Sequence, residues 1–269
     1  MSNCLSQYLA ARYAVMQRCW RSFGACLIIG SSLSAPVLAA DPKVNLNAYT
    51  EEWPPYNFMV GNEVKGISTE LLLAACQLAQ LRCNFHLVPW ARAQKTVLET
   101  PNTTIYTTTR NAQRENQFKW VGPILPRTIW IYGKSGLEKK VHTLKDLAQV
   151  KIGLVREEAS FDELLAAGVP KSSILVLNSN TDVMKMLKLG KINTLVNTEI
   201  GMEWNLRNAG VASNEMSKLM TLSEGASYYF AFNLKTDPAI IEKLQSSIDR
   251  LRREGKIEDI VRKYMQPKK

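Results

Sequence analysis

The sequence predicts an α/β protein of two lobes, each an open sheet flanked by helices, with two crossing strands as the hinge between them. Three observations carry that expectation. Strand-like and helix-like stretches alternate in two series, and the second restarts after the chain loosens at Gly133 and Gly136. A late strand-like run at 228–234 and two closing helices are left over once the second series is complete. With 269 residues, 46% hydrophobic and 22% charged, the chain has the composition of a soluble globule and the length for one large domain or two lobes. The simplest path enters the second lobe near 129–132 and returns near 228–232. Lobe one then comprises 41–130 with 230–269, and lobe two comprises 131–229.

Residues 1–40 read as an export signal. Arg18 and Arg21 flank Trp20, residues 23–33 are apolar or small, and the run from Ala35 to Ala40 offers a cleavage site. The apolar run is too short to span a bilayer. Met16 gives a more conventional start than Met1, and an intact-mass measurement of precursor containing residues 1–15 would exclude it. Cleavage removes Cys4, Cys19 and Cys26 and leaves Cys76 and Cys83. In an exported protein two cysteines seven apart suggest a disulfide; two buried free thiols are the alternative. His86 and His142 lie far apart with no cysteine partners, so no metal or cofactor is expected. The formal net charge is +10, three of which come from Arg12, Arg18 and Arg21 in a leader without acids. The remaining Lys and Arg residues are scattered, so the charge favours acidic ligands and no nucleic-acid partner.

Along the rest of the chain, residues 44–49 alternate apolar and polar side chains as a half-buried strand does. They lead into Trp53-Pro54-Pro55-Tyr56-Asn57-Phe58, where two prolines preclude regular pairing and hold the rings on a stiff loop. A helix follows over 68–81, with Ser68 as its cap and Leu71, Leu72, Ala75 and Leu78 on its apolar face. Strands at 84–88 and 103–109 bracket a short helix over 91–98, opened by Pro89-Trp90 and carrying Arg92. A further strand is expected at 128–132. In the second series, helices at 144–147, 160–167, 181–189 and 199–207 alternate with strands at 151–155, 174–177 and 192–196. Ser160 and Glu163 have capping-box spacing, and Gly190 and Gly210 stop helices. Helices at 238–253 and 256–265 close the chain.

Residues 107–123 read TTTRNAQRENQFKWVGP. Hydroxyls beside a guanidinium suit a small anionic group, because arginine offers a planar fork of donors and threonine adds neutral hydrogen bonds. A solvated turn with ordinary surface arginines has the same composition.

The order and spacing of these segments resemble the periplasmic solute-binding proteins for amino acids, the extracytoplasmic receptors of ABC importers (family 3 of the bacterial extracellular solute-binding proteins). The resemblance covers about residues 43–266. It rests on the aromatic-Pro-Pro-aromatic loop at Trp53–Phe58, on Gly66-Ile67-Ser68-Thr69-Glu70-Leu71-Leu72 at a helix start, and on the Cys76 and Cys83 spacing, which matches the disulfide of basic-amino-acid and histidine receptors. Arg114 followed by Phe118 and Gly122-Pro123, and the run Leu187-Lys188-Leu189-Gly190-Lys191-Ile192-Asn193, complete it. The resemblance implies a type II periplasmic-binding-protein fold and a periplasmic monomer that delivers a small solute to an inner-membrane ABC permease. It implies that Arg114 forks onto a ligand carboxylate, assisted by Thr107 and Thr109, with Arg110 the competing anchor. Trp53 takes the stacking position, and Tyr56, Trp90 and Arg92 are further wall residues.

Two positions depart from the family pattern. Where the family has Gly-Ser/Thr after the first strand of lobe two, this chain has Arg156-Glu157-Glu158, which would repel an anion. The acid expected to pair with a ligand amino group falls near Thr198. Glu199 beside it can substitute, or is simply favoured by the dipole at a helix start. Two other functions share the fold: a ligand sensor for a separate signalling partner, and a dehydratase-type enzyme, for which Glu157, Glu158 and Glu199 are the candidate acid–base groups.

Overall fold

Alternating side chains form β1 (Asn45–Thr50), which buries Leu46 and Ala48 fully and exposes Asn45. The computed structural model describes residues 45–156 and 160–266. The expected leader, and Glu157 and Glu158, lie outside the described residues. Among the described residues no helix is long and apolar enough to cross a membrane.

The aromatic-proline loop leads into a hairpin of β2 (Phe58–Val60) and β3 (Glu63–Lys65). Then come α1 (Ile67–Leu78), β4 (Arg82–Leu87), α2 (Trp90–Glu99) and β5 (Thr103–Thr109). Helix α1 begins one residue earlier than expected and is not capped by Ser68. Its cap position is Gly66, where φ is +124° and a Cβ would collide with the Tyr56 carbonyl. Ser68 is instead fully buried inside the first turn, with no hydrogen-bond partner for its hydroxyl among the described residues. A disulfide joins Cys76 at the end of α1 to Cys83 at the start of β4.

The chain continues through β6 (Lys119–Lys134), β7 (Ile152–Val155), α3 (Ser160–Ala166), β8 (Ile174–Leu177), α4 (Asn180–Lys188), β9 (Thr194–Asn197) and α5 (Glu199–Ala209). It ends with β10 (Met216–Phe232), α6 (Pro238–Arg253) and α7 (Lys256–Met265). The segment expected as a helix at 144–147 is a 3-10 turn over Leu144–Gln149.

Eight strands make one sheet in the order β4-β1-β5-β10-β6-β9-β7-β8. The crossing strands β6 and β10 lie at its centre, pair antiparallel, and are far longer than the sequence suggests. In β6, Pro123 and Pro126 are tolerated because β9 pairs only with Trp130–Gly133, leaving the other edge of the proline stretch without a strand neighbour.

Two-residue alternation sorts the core onto both faces of the sheet. In the half containing β1, Leu46, Leu71, Tyr106, Phe230 and Leu244 pack on one face, while Val97, Ile105 and Ala231 pack on the other. In the half containing β7, Ile129 and Ile131 join Leu147, Ile152 and Leu164, whereas Tyr132 and Leu195 join Met184, Leu187 and Met202. Each half is therefore a sheet covered by helices on both faces, an α/β arrangement as expected.

Candidate functional site

Strand direction locates the site. β1 is parallel to β4 and β5, β10 is antiparallel to β5, and β6 is antiparallel to β10. The carboxyl ends of β1, β4 and β5 therefore point the way β6 runs, toward the other half. β9 is antiparallel to β6, and β7 and β8 run parallel with it, so their carboxyl ends point back. The two sets of strand ends face each other across the middle of β6 and β10, and such switch points are where open α/β sheets bind ligands.

Three loops leave the first set of strand ends. After β1, Trp53 stands 4.9 Å from Tyr56 and 5.4 Å, edge-on, from Tyr228 of β10. The loop is fixed by Asn57, which is fully buried: its amide donates to the Glu51 carbonyl at 2.5 Å and its Oδ1 accepts from Thr107 Oγ1 at 2.5 Å. Thr107 reaches it from a bulge in β5, where Tyr106 and Thr108 keep their β10 partners and Thr107 adopts φ +61°. That conformation is strained for a β-branched residue.

After β4, Pro89 starts α2 and sets Trp90 beside the third loop. There Arg114 lies 5.4 Å over the Trp90 ring, and its Nη1 donates a long 3.4 Å bond to the Thr109 carbonyl. Arg114 is half-buried; desolvation pulls its guanidinium below the usual arginine range, and nearby Glu51 opposes the shift. Arg110 is placed differently. Its fork is taken by Glu115 at 2.8 and 2.6 Å, with the guanidinium between the Trp120 and Tyr229 rings on an exposed turn. Arg92 is exposed on the first turn of α2.

From the opposite half, β9 delivers Thr198 as the cap of α5. Its Oγ1 accepts from the Gly201 amide at 3.0 Å, and Asn197 Oδ1 accepts from the Thr198 amide at 2.8 Å. Gly201 is required, because a Cβ there would overlap Asn197 Oδ1. Thr198 Oγ1 also pairs with Tyr56 Oη at 2.6 Å, a buried bond that ties the aromatic-proline loop to the other half of the sheet. Burial raises the Tyr56 phenol well above its ordinary value, and the Thr198 bond and Arg127 charge offset this only in part. Glu199 is exposed and paired with Lys218 at 2.9 Å, and the Lys218 ammonium sits 4.7 Å over Trp130.

Four residues here carried no binding signal in the sequence, although Glu163 falls in an expected capping box and Tyr132 in an expected strand. Arg127, 4% exposed on β6, forms an ion pair from Nη1 to Glu163 Oε1 at 2.9 Å and donates from Nη1 to Ser223 Oγ at 3.0 Å. Ser223 Oγ donates to Glu163 Oε2 at 3.2 Å, closing a charged triangle between α3 and the two crossing strands. Tyr132 is buried on β6. Sequence neighbours offered no cue, since the partners are 60 and 96 positions apart.

Two groups thus stand at the strand ends, Trp53 and Tyr56 with Thr107 held to their loop through Asn57, and Arg114 with Trp90 and the Thr109 carbonyl, while Arg110, Arg92 and Glu199 are on more exposed ground. Among the described residues no group of three His, Cys, Asp or Glu side chains could hold a metal. A separate groove of ≈ 640 Å³, lined by Phe58, Trp204, Arg207 and Tyr264 among others, does not include these residues.

Comparisons agree with this architecture. The sequence model of the bacterial extracellular solute-binding proteins, family 3, matches residues 46–267. No curated protein matches the chain by sequence. Among solved structures, a histidine kinase sensor domain with similarity to periplasmic binding proteins aligns at a TM-score of 0.70 and 16% identity, over 84% of this chain and 97% of its own. An ancestral arginine-binding protein bound to arginine aligns at 0.68 and 16%, over 84% and 100%. The second substrate-binding domain of GlnP from Lactococcus lactis, in an open conformation, aligns at 0.62 and 19%, over 85% and 98%.

Proposed function

Because the chain belongs to family 3 of the bacterial extracellular solute-binding proteins, we propose that it is a periplasmic receptor that closes around a small carboxylate solute and hands it to an ABC permease. Lobe one is then 41–130 with 230–269 and lobe two is 131–229, moving about β6 and β10. The leader at 1–40 directs export, and the mature protein works as a monomer without a cofactor.

One observation carries the reading: Arg114 is a half-buried cation over an indole, at the strand ends, with a single long hydrogen bond for its five donors among the described residues. A desolvated fork of this kind favours a bidentate carboxylate partner. Arg110 already has such a partner in Glu115, which favours Arg114 as the anchor. Trp53 supplies a ring wall with the buried Tyr56 packed behind it, and Thr107 holds that loop through Asn57. Closure needs only the solute's differential contacts with the two lobes.

The test is ligand-induced thermal stabilisation across amino acids, polyamines, organic acids and short peptides, with mass spectrometry of whatever co-purifies. Arg114→Ala is expected to weaken the best ligand about 10- to 150-fold, the value of a lost charged hydrogen-bonded contact of ~1.5–3 kcal/mol, and to leave the apo fold intact. Unchanged stabilisation in that variant removes the anchor. A second reading, a sensor for a separate signalling partner, is favoured by the likeness to the histidine kinase sensor domain. Capture of the ligand-bound protein by a permease rather than by a signalling protein separates the two. An acid–base enzyme would turn over its ligand; the receptor reading expects the co-purified compound to be recovered unchanged.

A further inference from the structure

Resting on that receptor reading, the loop between β5 and β6 shows what holds Arg114 in place. Residues 110–117 have no core of their own: Arg114 is half-buried and every other residue of the stretch is exposed. Apolar packing therefore does not fix this loop. An arginine on a loose loop would have to be ordered at each encounter with a solute, which costs affinity.

The fixing is polar. Arg110 and Glu115 stand either side of the turn and close it into a ring, the guanidinium donating from Nε at 2.8 Å and from Nη2 at 2.6 Å. Between them the Arg114 amide donates to the Asn111 carbonyl at 3.1 Å and to Asn111 Oδ1 at 3.0 Å. The ring is tied to the sheet. The Arg110 guanidinium lies 5.7 Å from the Trp120 ring of β6 and 5.6 Å from the Tyr229 ring of β10, and Trp120 Nε1 donates to the Glu115 carbonyl at 3.1 Å. Gly122 leaves room for this arrangement, since a Cβ there would come within 2.7 Å of the Tyr229 ring. An exposed ion pair alone is worth little, but a bidentate fork stacked on aromatic rings is the geometry in which one holds. Trp90 and Trp120 pack against the same core cluster, so the two arginines of the loop sit on indoles of one cluster. Arg110 has its fork filled, and Arg114 makes a single long bond to the Thr109 carbonyl.

We propose that the Arg110–Glu115 pair is a positioning clamp that presents the Arg114 fork to the solute, and that Arg110 does not touch the solute. Glu115 then acts twice. It fills the fork that would otherwise compete for a carboxylate, and it fixes the turn that carries the other.

The experiment is fluorine NMR of the mature protein labelled with fluorotryptophan, without added solute. Trp90→Phe identifies the Trp90 resonance, and Arg114→Ala gives its position when no guanidinium lies over the ring. Arg110→Ala and Glu115→Ala should each move the resonance at least about half that way, and both together no further than either alone, as parts of one device do. The melting temperature should stay within ~3 °C, because the pair is exposed. Calorimetric titration with succinate, L-glutamate and L-arginine adds a test of opposite sign. Glu115→Ala is expected to weaken whichever of them the wild type binds by roughly five-fold. An Arg110 that anchored the solute would instead be released by that substitution and bind more tightly. A Trp90 resonance unmoved by both substitutions, or tighter binding in Glu115→Ala, overturns the clamp and leaves the receptor reading in place. Binding that is insensitive to Arg114→Ala overturns the anchor and the clamp with it. Where the wild type binds none of the three, the Trp90 resonance decides the clamp on its own.

Discussion

Replacing Arg127 by methionine isolates the charged triangle at the crossing. Arg127 is 4% exposed and makes both contacts through Nη1, an ion pair with Glu163 at 2.9 Å and a hydrogen bond to Ser223 at 3.0 Å. Methionine keeps much of the volume, so the loss is chiefly electrostatic. Breaking one side of a buried pair costs about 3–5 kcal/mol, because the remaining charge is stranded. Here the Glu163 side chain keeps 28% exposure and the Ser223 hydrogen bond, so water can reach it and the expected cost falls to about 2–3 kcal/mol. For a chain of this size that is a drop of roughly 4–12 °C in melting temperature. Arg127→Met with Glu163→Leu removes both charges and should recover most of the loss, giving a coupling of ~1.5 kcal/mol or more. Urea unfolding of the wild type, both single variants and the double variant measures the cycle. A single-variant loss below about 0.5 kcal/mol, or additivity within ~0.3 kcal/mol, would refute the claim that this triangle locks the crossing strands to α3.

Three further outcomes are expected. Reducing the Cys76–Cys83 disulfide, or Cys76→Ala with Cys83→Ala, should cost about 2.5 kcal/mol by chain entropy for so short a loop, read as a lower urea midpoint. Burial raises the folded-state values of Tyr56 and Tyr106 above the ordinary value near 10. Their stabilisation is thus complete below that pH and is lost as pH rises through it toward the folded values, at ~1.4 kcal/mol per pH unit for each phenol. Unfolding free energy measured between pH 9 and 11.5 should show this fall, and Tyr56→Phe should flatten it by one proton's share. Arg207 on α5 caps α7, donating from Nη1 to the Met265 and Gln266 carbonyls at 2.8 Å and from Nη2 to the Tyr264 carbonyl at 2.9 Å. Arg207→Ala should cost about 1.5–3 kcal/mol and speed hydrogen exchange in the last turn of α7.

The elements that could be read from sequence were those whose signals are local. The closing helices fall at 238–253 and 256–265 as expected, because Asp237 caps the first, Pro238 opens it and Gly255 separates the two. Thr198 and Gly210 bound α5 for the same kind of reason. The first twelve residues of β10 were not legible. They pair only with β6, through a ladder with several register shifts, so no clean two-residue burial pattern survives in MSKLMTLSEGAS. The β2–β3 hairpin is short and largely exposed and leaves no core pattern either. The same divide runs through the site. Trp53, Tyr56, Trp90 and Arg114 sit in motifs that sequence displays, while Arg127, Glu163 and Ser223 acquire their meaning only when β6, α3 and β10 are brought together.

Pairing off the crossing's charges has a consequence for how the proposed closure would work. With Arg127 paired with Glu163 and Lys218 with Glu199, Arg114 keeps open donors at the strand ends, on the half proposed as lobe one. A carboxylate solute would therefore bind lobe one first, drawn by the unpaired fork, before lobe two closes on it. The Tyr56–Thr198 bond already joins the lobes without a solute, and a net hydrogen bond contributes only ~1 kcal/mol. A contact of that size biases the two lobes toward each other but cannot hold them closed alone. Under this reading Tyr56→Phe lowers affinity by a few-fold through the closing equilibrium, whereas Arg114→Ala acts on the encounter itself.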